Sequence, residues 1–293
     1  MLQLDGINKR FGDRAVLKDV SFTVGPGRLT GFVGGNGAGK TTTMRIILGV
    51  LNADSGTVTL NGSRIGPADR RRFGYMPEER GLYPKMKVLE QIVYLGRLHG
   101  MAPRDATDSA NALLERLGLA ERLNDTVESL SLGNQQRAQI AAALVHRPEV
   151  LVLDEPFSGL DPMAVETVLS VLQDVAASGS PVLFSSHQLE VVERLCDDLI
   201  VIADGAIRAS GSREKLRADN SRSQWELLTG TDAAWVRDVP GVTVVEFDGG
   251  YAVFEADEAV AQSVLRRAIE NGPVASFAPR RPTLTQIFKE VVS

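Results

Sequence analysis

Three short stretches of this 293-residue chain carry residue types at spacings that could do chemistry. GGNGAGKTT, from Gly34 to Thr42, fits G-x-x-x-x-G-K-[ST], and an apolar strand-like run precedes it while a helix-prone run follows. Its small residues, Gly34, Gly35, Asn36, Gly37, Ala38 and Gly39, let successive backbone N–H groups turn toward an anion. A helix dipole opening at Lys40 adds positive potential there. Lys40 is then expected to reach β- and γ-phosphates, with Thr41 offering its hydroxyl to Mg²⁺ and Thr42 counted with it among the nucleotide-binding residues. The plain alternative is a Gly-rich turn that caps a helix, which leaves the full pattern unexplained.

VLVLDEP, Val150 to Pro156, puts two adjacent carboxylates at the end of a buried apolar run. Beside a phosphate loop, Asp154 is placed to hold the Mg²⁺ shell. Glu155 is placed to polarise an attacking water as general base. The alternative is a strand running out into a turn with solvated acids. SSH, Ser185 to His187, brings one of only three histidines to another strand end, the edge where open α/β sheets bind ligands. A neutral imidazole at His187 would hydrogen-bond the γ-phosphate and the attacking water, although a lone histidine at a strand end is often structural. His99 and His146 have no such context and read as structural.

Elements that could position these groups follow from periodicity. Leu2 to Val24 alternates apolar and polar residues around a turn near Gly12-Asp13, which predicts short antiparallel strands. RLTGFVGG, GTVTLNG, EVLVLDEP, PVLFSS and DLIVIADG read as strands. They are interleaved with helices expected at KTTTMRIILGV, Pro162 to Ala177 and Leu189 to Cys196. Such alternation implies a parallel sheet in an α/β core. Residues 85–146 read as mainly helical, an insertion into that core. Within it, SLSLGNQQRAQI offers Ser131 as an N-cap, with Gly133 and Asn134 in the turn and helix beyond.

After Gly211 the pattern changes. Residues 212–221 are polar and helix-prone. QWELLTG, VTVVEFDGGYAVFEA and VASFA read as strands, with Asp248-Gly249 as a hairpin turn. DEAVAQSVLRRAIENG reads as an amphipathic helix, and RRPTLTQIFKEVV as a last helix capped by Thr283. The expected division is 1–211 and 212–293, the second part a linker and a small α+β domain.

Composition narrows the classes. A 43% hydrophobic and 24% charged chain can build an ordinary core. A net charge of −5, with no Lys/Arg run of nucleic-acid-arm type, argues against a nucleic-acid partner. The single cysteine, Cys196, precludes an internal disulfide and fits a reducing compartment. The opening MLQLDGINKRFG has no apolar leader core and no run of about 18 apolar residues occurs, so neither a secretory leader nor a membrane-spanning segment is expected. A soluble protein is expected.

In order, GGNGAGKTT, SLSLGNQQR, LVLDEP, SGLD and SSH resemble the ATP-binding subunit of an ABC transporter, over residues 1 to about 211. The resemblance implies a P-loop nucleoside-triphosphatase core, an N-terminal antiparallel β subdomain and an inserted α-helical subdomain. It implies ATP hydrolysis with Mg²⁺, at two sites shared across a dimer. Leu130 to Asn134 stand where the family has Leu-Ser-Gly-Gly-Gln, so Ser131 and the Gly133 amide are implied to contact the γ-phosphate of a second copy. Leu132 and Asn134 depart from that pattern. SGLD, Ser158 to Asp161, resembles the loop that joins the two sites, making Asp161 a third residue acting in trans. Its alternative is an ordinary turn into a helix started by Pro162.

Phe11 falls where the family stacks an aromatic on adenine, though a core aromatic on a strand is a close alternative. GYMPEERGLYP aligns with a loop whose glutamine touches Mg²⁺ and senses the membrane partner; Glu78 stands there instead. A carboxylate can still ligate Mg²⁺, but it adds negative charge beside a triphosphate. PEERGLYPKM, the altered signature and RPTLTQIF resemble one exporter branch, with sodium-extrusion and drug-efflux members paired with separate permeases. The implied protein is a homodimeric ATPase engine docked by its Glu78–Met86 segment on an integral permease, at the cytoplasmic face of the membrane. The rival readings are a soluble ABC-type ATPase acting on ribosomes or DNA and a P-loop nucleotide kinase.

Overall fold

The strands that feed the phosphate loop and the two acidic residues are buried along their whole length and almost entirely apolar. In the computed structural model those residues are buried on both faces of one central sheet. The structure describes residues 1–79, 81–187, 192, 194–219 and 224–280. They divide into two units, one from Met1 to Arg213 and one from Glu214 onward.

In the first unit, β3 (Leu29–Val33), β7 (Val150–Leu153) and β8 (Val182–Ser186) are buried throughout. They join β6 (Phe73–Met76), β9 (Asp198–Ala203) and β10 (Ala206–Ser212) in the order β10-β9-β3-β8-β7-β6. All neighbours are parallel except β10, which pairs antiparallel with β9 as an edge strand. Near-continuous apolar strands are what a sheet covered on both faces requires. In register, Val33 faces Ser186 and Leu153 faces Phe184. The turns after β3, β7 and β8 therefore leave the sheet at one carboxyl edge.

A second sheet, in the order β2-β1-β4-β5, is antiparallel. Here β1 (Leu2–Phe11) and β2 (Arg14–Val24) form a hairpin, and β4 (Ser55–Leu60) and β5 (Ser63–Arg64) complete it. Period-two burial puts Leu2, Leu4, Ile7, Leu17, Val20 and Phe22 on its inner face. That face shares one apolar cluster with Met44, Ile46 and Ile47 of helix α1 (Lys40–Ile47) and with Phe32, Val152 and Ile200 of the central sheet. Phe11 stands at the hairpin tip opposite Arg14 and is 51% exposed, so it is not a core aromatic.

After the short α2 (Pro67–Arg70) come α3 (Val88–Leu98), α4 (Pro103–Arg116) and α5 (Leu132–Leu144). Gly96 lets α3 and α4 meet closely: a Cβ there would lie 3.2 Å from the Ala106 Cβ and the Met101 sulfur. Helix α6 (Pro162–Ala177) follows β7. Cys196 is buried, and burial pushes its thiol up to about 12, which keeps it protonated and unreactive.

Beyond α7 (Arg213–Asp219), the second unit is an antiparallel sheet in the order β12-β13-β11-β14. Its strands are β11 (Gln224–Thr229), β12 (Thr243–Asp248), β13 (Tyr251–Glu255) and β14 (Val274–Arg280). Helix α8 (Glu258–Asn271), capped by Asp257, buries Ala261, Val264 and Ala268 in a cluster with Leu227 and Phe254. The β12–β13 loop is Gly249-Gly250, one residue beyond the expected turn, because Asp248 pairs with Tyr251. Half of the expected Leu189–Cys196 helix, and all of the Thr283-capped helix, lie outside the described residues.

Candidate active site

The turn Gly34 to Gly39 runs from the end of β3 to the first residue of α1, and its backbone is what the glycines permit. Gly37 and Gly39 hold φ of 78° and 113°, conformations a side chain would strain. At Gly34 a Cβ would meet the Ile202 carbonyl at 2.4 Å, so that position admits no side chain. Lys40 is 8% exposed, and its Nζ donates to the carbonyls of Gly34 at 2.7 Å and Gly35 at 3.3 Å. An ammonium desolvated beside an open anion-binding turn has charge to offer a phosphate.

From the next strand but one, Asp154 enters the same place. Its Oδ2 accepts from Thr41 Oγ1 at 3.0 Å and its Oδ1 from Ser185 Oγ at 2.5 Å. Asp154 is 1% exposed, and those two hydroxyls are what allow a carboxylate to be buried there. Burial, and after it the nearby Asp154 carboxylate, holds the Tyr75 phenol above its ordinary range.

Glu155 follows with φ at 52°, an uncommon conformation for a non-glycine residue. Such a backbone persists only where its surroundings fix it. Three contacts do so: the Glu155 N–H donates to Ser185 Oγ at 2.9 Å, and Gln136 Nε2 donates to the Glu155 and Pro156 carbonyls at 2.9 and 3.1 Å. The carboxylate meets the His187 ring, Oε1 to Nδ1 at 3.0 Å.

These groups converge on one cleft of about 510 Å³, lined by Phe11, the phosphate loop at Gly35 to Gly37 and Gly39 to Thr42, Glu78, Asp154, Glu155 and His187. Gly34 and Ala38 are buried and support the loop from behind. Lys9 Nζ lies 5.6 Å over the Phe11 ring. Ser131 and Gly133 do not line the cleft. Ser131 caps α5, its Oγ accepting from the Asn134 N–H at 3.4 Å, and is exposed. Gly133 lies against the 158–160 turn, where a Cβ would come 3.5 Å from the Gly159 carbonyl. Asp161 caps α6, its Oδ1 accepting from the Ala164 N–H at 2.8 Å.

The sequence reading omits Arg14 and Val16, which also line the cleft, and the supporting roles of Ser185 and Gln136. Arg14 is set by hairpin register, which is invisible without the fold. Ser185 sits inside the SSH motif, and its neighbour in a covered strand is the one signal that could have marked it.

Magnesium can be tested against this donor set. Among the described residues no group of three or more His, Cys, Asp or Glu side chains converges to hold a metal. One hydroxyl and one or two carboxylates, all hard oxygen donors, suit a cation that keeps waters and substrate phosphates as its other ligands. Thr41 and Asp154 fit such an ion, and exposed Glu78 stands at the cleft edge.

A mostly parallel sheet with a glycine-rich phosphate loop on its central strand and an acidic pair on a strand beyond its neighbour defines a P-loop nucleoside-triphosphatase fold. The family model described as ABC transporter matches residues 17–158, and the model for the C-terminal domain of DrrA1-3-like ATP-binding proteins matches residues 211–292. The ABC transporter ATP-binding protein YhaQ of Bacillus subtilis is 37% identical over 293 residues, covering 100% of this chain and 98% of its own length. Nod factor export ATP-binding protein I of Burkholderia lata is 38% identical over 235 residues, 79% of this chain and 77% of its own. The solved structure of an ATP-binding subunit of an ABC transporter superposes with a TM-score of 0.69 at 31% identity, covering 75% of this chain and 92% of that one. The chain belongs to the ATP-binding proteins of ABC transporters, which bind ATP and hydrolyse it to power transport. Among the described residues no helix is long and apolar enough to cross a membrane.

Proposed function

We propose that the chain drives an exporter as a homodimer, with each MgATP held between the cleft of one copy and the Ser131 end of the other. One observation carries this reading. Phe11, the phosphate loop, Asp154, Glu155 and His187 share one cleft, while Ser131 and Gly133, the remaining motif residues, open elsewhere. A single copy thus offers a half-site whose lining lacks Ser131 and Gly133, the groups that would complete the site of another copy.

In this reading the adenine stacks on Phe11, and the phosphates take the N–H groups of Gly35 to Thr42. Lys40 exchanges loop carbonyls for β- and γ-phosphate oxygens. Thr41 and Asp154 would hold Mg²⁺, with Glu78 within the same cleft, and the bound ion would neutralise developing phosphate charge. Glu155 takes a proton from water as its oxygen attacks the γ-phosphorus; the bond to the β–γ bridging oxygen breaks and ADP leaves. His187 orients the Glu155 carboxylate and meets the γ-phosphate. Ser131, the Gly133 amide and Asp161 act from the partner copy.

The domain division at about 211, with a small C-terminal domain for docking or dimerisation, belongs to the same proposal. The relative named for Nod factor export supports the exporter direction. Residues 78–86 form the docking segment for the permease: Tyr83 is 60% exposed, and Leu82 and Pro84 line a groove of about 220 Å³ with Val127. The assembly would then sit at the cytoplasmic face of the membrane. Affinity purification from detergent-solubilised membranes tests the partner. A multi-span integral protein should accompany the chain; recovery with ribosomes and no integral protein would overturn the transporter assembly.

A further inference from the structure

Helix α5 begins at the Ser131 cap and carries Gln136 and Gln139 three residues apart, so both amides leave one face. Gln136, 6% exposed, donates to the backbone carbonyls of Glu155 and Pro156. Gln139, 4% exposed, donates to the carbonyls of Pro77 at 2.7 Å and Glu79 at 3.3 Å, on either side of Glu78. Carbonyl oxygens only accept, so the donor ends of both amides must face them.

The geometry points to Gln136 and Gln139 as positioning residues that make α5 a link: from Ser131, through the two amides, to the backbone segments carrying Glu155 and Glu78 in the chain's own cleft. The inference rests on the reading of Ser131 as the group that meets the partner's nucleotide. A 13-residue helix moves as a unit. When its start is drawn toward a second nucleotide, both gripped segments move with it. The Glu155 segment is the one whose backbone already sits at φ 52°, so a shift of its carbonyl reorients the carboxylate against His187. Gln139 also argues against a packing role. Its Oε1 is buried without a hydrogen-bond partner among the described residues. That costs free energy an apolar side chain of similar size would avoid. A second buried amide grips the chain nearby: Gln91 of α3, 1% exposed, accepts from the Tyr83 N–H at 2.6 Å and donates to the Tyr83 carbonyl at 3.3 Å.

The experiment is a double-mutant cycle on ATP turnover by the full-length chain. Gln139→Met, Ser131→Ala and the double variant are compared for kcat, with ATP Kd and melting temperature measured on each. Gln139→Met should lower kcat at least tenfold with Kd within twofold, and the double variant should be no slower than the slower single one. Gln139→Glu, which keeps the shape and turns an acceptor toward the Pro77 and Glu79 carbonyls, should show the same loss. Independent, multiplying effects would overturn the link. So would a wild-type rate in Gln139→Glu, or a Gln139→Met deficit matched by lost ATP affinity and a lowered melting temperature. A wild-type kcat in Ser131→Ala would remove the reading of Ser131 itself, and the link with it. A Ser131→Ala deficit beside a wild-type Gln139→Met removes the link alone.

Discussion

The His187 Nδ1 lies 3.0 Å from Glu155 Oε1, in a pair whose imidazole is half exposed and whose carboxylate is 11% exposed. The carboxylate is held from both sides: His187 fixes its oxygen, while Ser185 and Gln136 fix its main chain. A general base needs that restraint more than it needs proximity, because a rotated carboxylate loses the attacking water's proton.

His187→Ala should therefore lower kcat by about two orders of magnitude while ATP binding stays near the wild-type value. Steady-state turnover beside equilibrium titration of ATP checks it. A rate within a fewfold of wild type would return His187 to a structural role.

Ser131→Arg places a bulky cation at an exposed position outside the chain's own cleft. Hydrolysis should be crippled, and ATP affinity of the monomer nearly intact, in a paired measurement of turnover and of binding at dilute protein. Equal loss of both would make the serine a helix cap and nothing more.

His146 yields a pH dependence. It stacks on His99 at 3.6 Å and gives its Nε2 to the Phe73 carbonyl at 3.2 Å. Burial first, then the neighbouring His99, lowers it from 6.5 to about 4. Below pH 6.5 the unfolded chain takes up a proton that the folded one refuses until about pH 4. The stabilisation is whole above pH 6.5 and drains away between those values, at up to about 1.4 kcal/mol per pH unit. Melting temperatures of wild type and His146→Gln from pH 7.5 to about 4 should diverge through that window, the wild type falling faster. Parallel curves would contradict it.

Much of this was legible without coordinates, for a physical reason. A phosphate loop is contiguous, so Gly34 to Thr42 announce their own geometry; Asp154 and Glu155 end the apolar run VLVL, and His187 ends PVLFSS, both runs too short for a typical helix. What stayed hidden depends on register or on the absence of periodicity. Strand β6 is the four residues Phe73–Met76, glycine included, too short to show alternation. Strand β10 follows β9 across a two-residue turn and reads as polar because it is an edge. Arg14 enters the cleft through hairpin pairing with Phe11. Gln136 and Gln139 look like ordinary polar residues of a helix until the carbonyls they serve are seen.

The central claim is that Glu155 is the base and that two copies enclose the nucleotide. Glu155→Gln keeps the shape and removes the base, so turnover should be abolished while ATP still binds. Sizing by light scattering with MgATP should then show a trapped dimer that reverts to monomer without nucleotide. Undiminished hydrolysis by Glu155→Gln, or an ATP-saturated variant that stays monomeric, would contradict the account.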